Sequence, residues 1–95
     1  MFYCYINYSP SLDKFYVGIA ENVAQRIIKH NTHAYGKHRF TSPASDWVGY
    51  LSISCKSHVH ATRVEKHIKK MKSRKYLINL KKYPEMVAKL VERFE

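Results

Sequence analysis

The chain has 95 residues, 45% of them hydrophobic, and its 17 Lys and Arg against seven Asp and Glu give a formal net charge of +10. This length predicts a single domain over residues 1–95 and argues against a large cofactor pocket. The apolar fraction argues against a disordered tail, and the positive charge favours a polyanionic partner such as nucleic acid, although a merely basic or ribosome-associated protein would share it.

Cysteine usage and the N-terminus bear on the cellular compartment. Cys4 and Cys55 have neither metal-binding nor redox spacing, and they form no disulfide framework. The first residues lack the basic region and long apolar stretch of a signal peptide, and the uncharged runs are too short to span a bilayer. We therefore expect a cytoplasmic protein with no membrane partner and with both thiols reduced.

Aromatic and β-branched residues dominate the start of the chain. Residues 2–8 and 15–19 each fit a strand. The segment between them contains proline, serine and aspartate, which supply turn chemistry. The sequence therefore predicts a β-hairpin.

Tyr5, Tyr16 and Gly18 are predicted to share one face of this hairpin, because side chains alternate between the two faces of a strand. A turn centred between Pro10 and Ser11 would place Tyr5 directly across from Tyr16. Paired aromatic residues across a hairpin are ordinary sheet packing. Gly18 on the same face leaves room for another group to approach the backbone, which favours a functional role for the pair.

The middle of the chain carries helix, loop and strand signals in turn. Residues 21–31 have a helical apolar period, and Asn22 is a plausible N-cap. Residues 32–46 are predicted to be a loop that is long for so small a domain. Residues 47–54 fit a third strand.

Three further helices are predicted to complete the chain. Ser57 offers an N-cap for a helix that ends near Met71, and Ser73 caps a second helix. Pro84 suits the first turn of the last helix. The element order is then ββαβααα, which describes an α+β domain with a small three-stranded antiparallel sheet flanked by helices.

The segment from Lys56 to Lys82 contains ten Lys and Arg residues and a single carboxylate, Glu65. The plain interpretation is a solvated helix face in which Glu65 pairs with Lys69 at i,i+4. The functional interpretation is a surface that binds nucleic-acid phosphates, with Glu65 kept for a metal ion. A lone carboxylate suits Mg²⁺, which keeps several waters and takes other ligands from substrate phosphate. The residues expected to contact nucleic acid are Lys66, Lys69, Lys70, Lys72, Arg74 and Lys75.

Arg26 and His30 lie four residues apart and are predicted to project from one face of the first helix. Arginine binds phosphate oxygens bidentately and stabilises developing negative charge. Histidine titrates near neutrality and can accept a proton from water. The alternative for His30 is a partly buried ring that only hydrogen-bonds a backbone carbonyl.

A zinc site formed by Cys55, His58 and His60 is a further alternative. Their spacing matches no common ligand pattern, and a fourth ligand is missing. Surface histidines and a small buried thiol explain these residues better.

Two tripeptides connect the chain to a known family. Tyr3-Cys4-Tyr5 and, eleven residues later, Tyr16-Val17-Gly18 resemble the paired motifs of the GIY-YIG nuclease superfamily. Arg26, His30 and Glu65 stand where family members carry a helix-borne arginine, a histidine one turn later and a metal-binding glutamate. The resemblance covers nearly the whole chain. The segments Phe40-Thr41-Ser42 and Lys70 to Tyr76 look like short stand-alone bacterial members.

This resemblance implies an endonuclease that hydrolyses DNA phosphodiester bonds with one Mg²⁺ or Mn²⁺ ion on Glu65. It implies that Arg26 neutralises charge on the phosphoryl group and that Tyr5, Tyr16 or His30 orients or deprotonates the attacking water. The side chains are then expected to open onto one cleft. Catalytically silent binding of nucleic acid on the same fold, or a protein-interaction adaptor, are the alternatives.

The chain departs from the family at several positions. The first motif lacks its glycine, Ile19 replaces the lysine of repair-type members, and Leu77 replaces an asparagine that often follows the glutamate. These differences bear on catalytic strength rather than on the fold.

Overall fold

The structure is a computed structural model that describes residues 1–32 and 44–95. The motif segment Phe40-Thr41-Ser42 and most of the predicted 32–46 loop lie outside the described residues. The predicted order ββαβααα is confirmed. The elements are β1 (Phe2–Ser9), β2 (Lys14–Ala20), α1 (Val23–Asn31), β3 (Val48–Cys55), α2 (His58–Met71), α3 (Arg74–Lys82) and α4 (Pro84–Phe94).

The predicted caps position the helices. The side-chain oxygens of Asn22, Ser57 and Ser73 each accept a hydrogen bond from the backbone N–H three residues later, at 3.0–3.1 Å. Such a bond satisfies one of the donors that a helix start leaves unpaired. Pro84 begins α4, where its missing N–H costs nothing.

The sheet is antiparallel with strand order β2-β1-β3, so β2 and β3 are its edges. The predicted hairpin register is wrong by two residues: Tyr5 lies opposite Gly18, and Tyr16 lies opposite Asn7. A two-residue hairpin turn favours positive φ at its first central position, and Pro10 cannot adopt it. A longer loop forms instead, in which Asp13 has φ 51°.

One face of the sheet carries the main hydrophobic core. Cys4, Ile6 and Ile53 pack there against Ala61, Val64 and Ile68 of α2, together with Leu80 and Leu90 of the following helices. The even-numbered residues of β1 therefore face three helices. No described helix has the length and apolar character needed to cross a membrane.

The opposite face is covered by α1 and by the segment that leads into β3. The register places Tyr5, Asn7, Tyr16 and Gly18 on this face, and buried Trp47 packs over it. Ile28 projects about 100° around α1 from Ile27, away from this face, and is 61% exposed.

Candidate active site

Three predicted site residues meet on the α1 side of the sheet. The hydroxyl of Tyr5 lies 3.2 Å from Nε2 of His30, within hydrogen-bond distance. The ring of Tyr16 packs edge-on against His30, with centroids 4.9 Å apart, and lies 6.2 Å from the ring of Tyr5. Residues 25 positions apart in the chain thus form one aromatic and imidazole group, which we call the tyrosine–histidine cluster (Tyr5, Tyr16, His30).

Gly18 makes room for this cluster. A Cβ atom at Gly18 would lie 2.6 Å from the Tyr5 hydroxyl oxygen and 2.8 Å from its Cζ. The sequence predicted that some group approaches the backbone here, and that group is the ring of Tyr5. A larger side chain at this position would push Tyr5 away from His30.

Burial sets the protonation state of the histidine. Tyr5 is 1% and His30 4% exposed, whereas Tyr16 is partly exposed. Burial, and to a lesser degree the charge of Arg26, lower the pKa of His30 below its usual value near 6.5. At neutral pH His30 is therefore an uncharged ring that can accept a proton.

Arg26 lies one helical turn before His30 on α1 and is partly exposed. Its backbone N–H bonds the carbonyl of Asn22 at 3.2 Å, so the helix start holds it in place. Its charge adds to burial in lowering the pKa of His30. The structure thus joins Tyr5, Tyr16 and His30 by contacts, with Arg26 one helical turn away on the same helix as His30.

Trp47 and Asn31 contribute to the site but were not predicted. The Asn31 amide donates to the Trp47 carbonyl at 2.9 Å and accepts from the Trp47 N–H at 2.7 Å. This fixes the indole edge-on to Tyr16, with centroids 6.4 Å apart. The available sequence signal was the single tryptophan of the chain, the first residue of the predicted third strand.

Asn7 is a second unpredicted feature of this face. It lies opposite Tyr16 and is 1% exposed. Within the described part of the chain, neither its Oδ1 nor its Nδ2 has a hydrogen-bond partner. A polar residue in the middle of a predicted strand was the available signal, since asparagine is rare there.

Comparison with known proteins identifies the family. The family model of the GIY-YIG catalytic domain matches residues 1–79. The chain belongs to the GIY-YIG family. No curated protein and no solved structure matches it. The matched range includes Tyr5, Tyr16, Arg26, His30 and Glu65, and their catalytic roles stay predictions.

Glu65 is carried by the helix on the other face of the sheet from the tyrosine–histidine cluster. This helix is α2, which packs against the core face of the sheet. Burial first, then Cys55 and the Glu65 carboxylate, raise the pKa of the Cys4 thiol. The ion pair of Glu65 is with Lys69, at 3.4 Å. In the contacts of residues 1–32 and 44–95, Glu65 does not join the tyrosine–histidine cluster. The helices that carry Glu65 and His30 pack against opposite faces of the sheet, and the single cleft stays a prediction.

Glu65, the candidate metal ligand, has few potential co-ligands among the described residues. Among the described residues, no group of three or more His, Cys, Asp and Glu side chains is placed to hold a metal ion. Glu65 is a single carboxylate with 18% of its side chain exposed. Such a donor fits Mg²⁺ or Mn²⁺ as one ligand beside water and phosphate oxygens, but it does not fit a protein-enclosed site.

The alternative zinc site is explained by hydrogen bonding instead. Nδ1 of His60 accepts from the Lys56 backbone N–H at 3.0 Å, and Nε2 lies 2.9 Å from the Val91 carbonyl. Both ring nitrogens are therefore used in fixing α2 to its neighbours. His58 packs edge-on against the ring of Phe2.

The predicted phosphate-binding residues lie along two different sides of α2. Lys69, Lys72 and Arg74 line a groove of about 280 Å³ with Lys14 of β2, which we call the edge groove. Lys66 and Lys70 line a second groove between α2 and α4, which we call the α2–α4 groove.

Proposed function

We propose that the protein is a Mg²⁺- or Mn²⁺-dependent endonuclease that hydrolyses DNA phosphodiester bonds at the tyrosine–histidine cluster. The observation that carries this proposal is the grouping of that cluster with Arg26 in a GIY-YIG chain. An uncharged imidazole, two phenols and a guanidinium provide proton transfer and charge neutralisation in one place.

Within the cluster we assign the proton-accepting role to His30. Phenols as a class keep their proton until about pH 10, whereas the lowered pKa of His30 leaves its ring unprotonated at neutral pH. Tyr16, the partly exposed phenol, then orients the attacking water, and Tyr5 holds the His30 ring by its hydrogen bond.

Arg26 is assigned to the phosphoryl group. Its planar guanidinium binds two phosphate oxygens at once and stabilises the charge that grows on them. Its position at the N-terminal side of His30 separates the anion-binding group from the proton acceptor by one helical turn. A phosphate held by Arg26 would therefore sit beside the imidazole.

In this proposal Glu65 takes part from across β2, an edge strand of the described sheet. A nucleic-acid backbone lying along β2 would meet α1 side chains on one face of the sheet and α2 side chains on the other. When bound to Glu65, a divalent ion would polarise the scissile phosphate and stabilise the leaving oxygen. The edge groove cations Lys69, Lys72 and Arg74 continue the phosphate contacts along α2 and α3.

The proposal is tested with a matched pair of substitutions on α1. Arg26→Ala and Lys29→Ala remove the same charge from the same helix, but Lys29 is exposed and stands outside the cluster. With supercoiled plasmid and Mg²⁺, we expect Arg26→Ala to slow cleavage by about 10²-fold or more. We expect Lys29→Ala to stay within about twofold, as for a surface substitution. Equal rates for both variants would contradict the proposal.

A catalytically silent nucleic-acid-binding module is the second candidate function. It is favoured by Leu77, which packs on the core where many members carry an asparagine, and by the ion pair that occupies Glu65. Both candidates predict binding whose logarithm falls linearly with the logarithm of salt, with a slope of about −0.9 per contacted phosphate on B-DNA. They differ in cleavage: the silent module leaves plasmid intact under every metal tested.

A further inference from the structure

The outer flank of α2, where α4 packs beside it, forms a groove of about 470 Å³. No carboxylate lines this α2–α4 groove, and among the described residues its cations take part in no ion pair. A neighbouring depression of about 400 Å³ extends the groove past Arg93 to Lys89. The lining residues of the groove itself are Arg63, Lys66, His67, Lys70, Arg93 and Phe94.

Positively charged side chains lie close together beside aromatic rings in this groove. The guanidinium of Arg93 lies 5.0 Å from the centroid of Phe94, whose ring is 5.0 Å from that of His67. Burial, Arg93 and Lys70 together lower the pKa of His67. Cations gathered without a counter-charge create a positive potential that attracts polyanions.

We infer that the α2–α4 groove is a second binding site for a nucleic-acid backbone, so that one domain holds two duplex segments at once. Arg63 and Lys70 are two helical turns apart, which separates their backbones by about 10 Å along α2. That distance spans about three nucleotide steps of one strand. The inference rests on the nucleic-acid binding of the proposed function but does not depend on cleavage.

The two grooves lie on different flanks of α2. Lys69 and Lys72 point toward β2, whereas Arg63 and Lys70 point away from the sheet toward solvent and α4. One phosphate backbone would have to cross over α2 to reach both sets. The second groove also depends on α4, which lies beyond the residues 1–79 matched by the family model.

The experiment counts duplexes per domain by sedimentation, with metal chelated and a short duplex of about one helical turn in excess. The wild type should bind two duplexes. The triple variant Arg63→Ala, Lys89→Ala, Arg93→Ala should bind one and keep its plasmid cleavage rate in Mg²⁺. Its matched control, Lys14→Ala, Lys69→Ala, Lys72→Ala, loses three charges from the edge groove. It should also bind one duplex but lose cleavage.

Several outcomes would overturn the inference. A wild type that binds one duplex in excess DNA, or a triple variant that still binds two, leaves no role for the α2–α4 groove. Displacement of the second duplex by polyglutamate at equal charge concentration would assign the groove to an acidic protein instead. No binding of any duplex would also remove the proposed function. If the triple variant does not fold, Arg63→Gln alone should weaken the second duplex by about three- to tenfold, as for one lost phosphate contact.

Discussion

Asn7 should make the protein less stable than an apolar residue would. It lies in the centre of β1, between Tyr16 of β2 and Gly49 of β3, and is 1% exposed. Neither polar atom of its amide has a partner within the described residues. Burying an unsatisfied polar group of this kind costs about 1–3 kcal/mol. Valine is branched near the backbone and suits a strand, and the Asn7→Val substitution removes no hydrogen bond made by a described residue.

We therefore expect Asn7→Val to raise the free energy of unfolding by about 1–2 kcal/mol. The gain is smaller than the full cost of burying the amide because valine does not pack perfectly in its place. In a domain of this size each kcal/mol shifts Tm by about 4–8 °C. The assay is urea unfolding followed by circular dichroism, compared at equal m-value. The matched control is Asn31→Ala, which removes two hydrogen bonds to the Trp47 backbone and should lower stability by about 1–3 kcal/mol. A destabilised or unchanged Asn7→Val would refute the reasoning, because the amide would then have a partner such as an internal water.

Further predictions concern the cluster itself. Gly18→Ala should lower stability by about 1–3 kcal/mol and slow cleavage, because its Cβ would lie 2.6 Å from the Tyr5 hydroxyl. Gly49→Ala is the control, because among the described residues its Cβ would meet Ile27 alone, at 3.4 Å; equal losses in urea unfolding would contradict the packing argument. The lowered pKa of His30 means that the unfolded chain binds its proton more readily, so stability should fall as pH drops below about 6.5. His30→Gln should flatten this fall in stability at low pH. A stability–pH profile unchanged by the substitution would show that His30 does not cause the fall. Cleavage should rise through the same pH range and then level off, while His30→Ala lowers the rate but not DNA affinity; an unchanged rate would give the proton-accepting role to a tyrosine or to a metal-bound hydroxide.

The order of elements was predictable because each carries a local signal. Strand residues are aromatic or β-branched, and Asn22, Ser57 and Ser73 cap the helices as expected. The hairpin register was not obtained, because the two-residue turn assumed for it requires a backbone conformation that Pro10 cannot adopt. Alternation of side chains nevertheless kept Tyr5 and Tyr16 on the same face, which is why the cluster was found.

Other parts of the site depend on tertiary packing that no local pattern contains. The burial of Asn7 follows from the position of β1 between two strands, which only the sheet order determines. Glu65 was placed with Arg26 by motif order, yet their helices pack against opposite faces of the sheet. The basic segment also looked continuous in the sequence. Consecutive residues of a helix project about 100° apart, so Lys69 and Lys70 line different grooves.

The most direct test of the central claim is the cleavage rate of Glu65→Ala on plasmid DNA in Mg²⁺, with affinity measured separately under chelation. Removing a carboxylate from a basic surface should leave binding equal or tighter, because Lys69 is released from its ion pair. If Glu65 holds the metal ion across the β2 edge, cleavage should be abolished, and Lys69→Ala should retain it while weakening binding. A Glu65→Ala variant that cleaves as fast as the wild type would show that Glu65 is only the ion-pair partner of Lys69, and the metal-dependent nuclease proposed here would be contradicted.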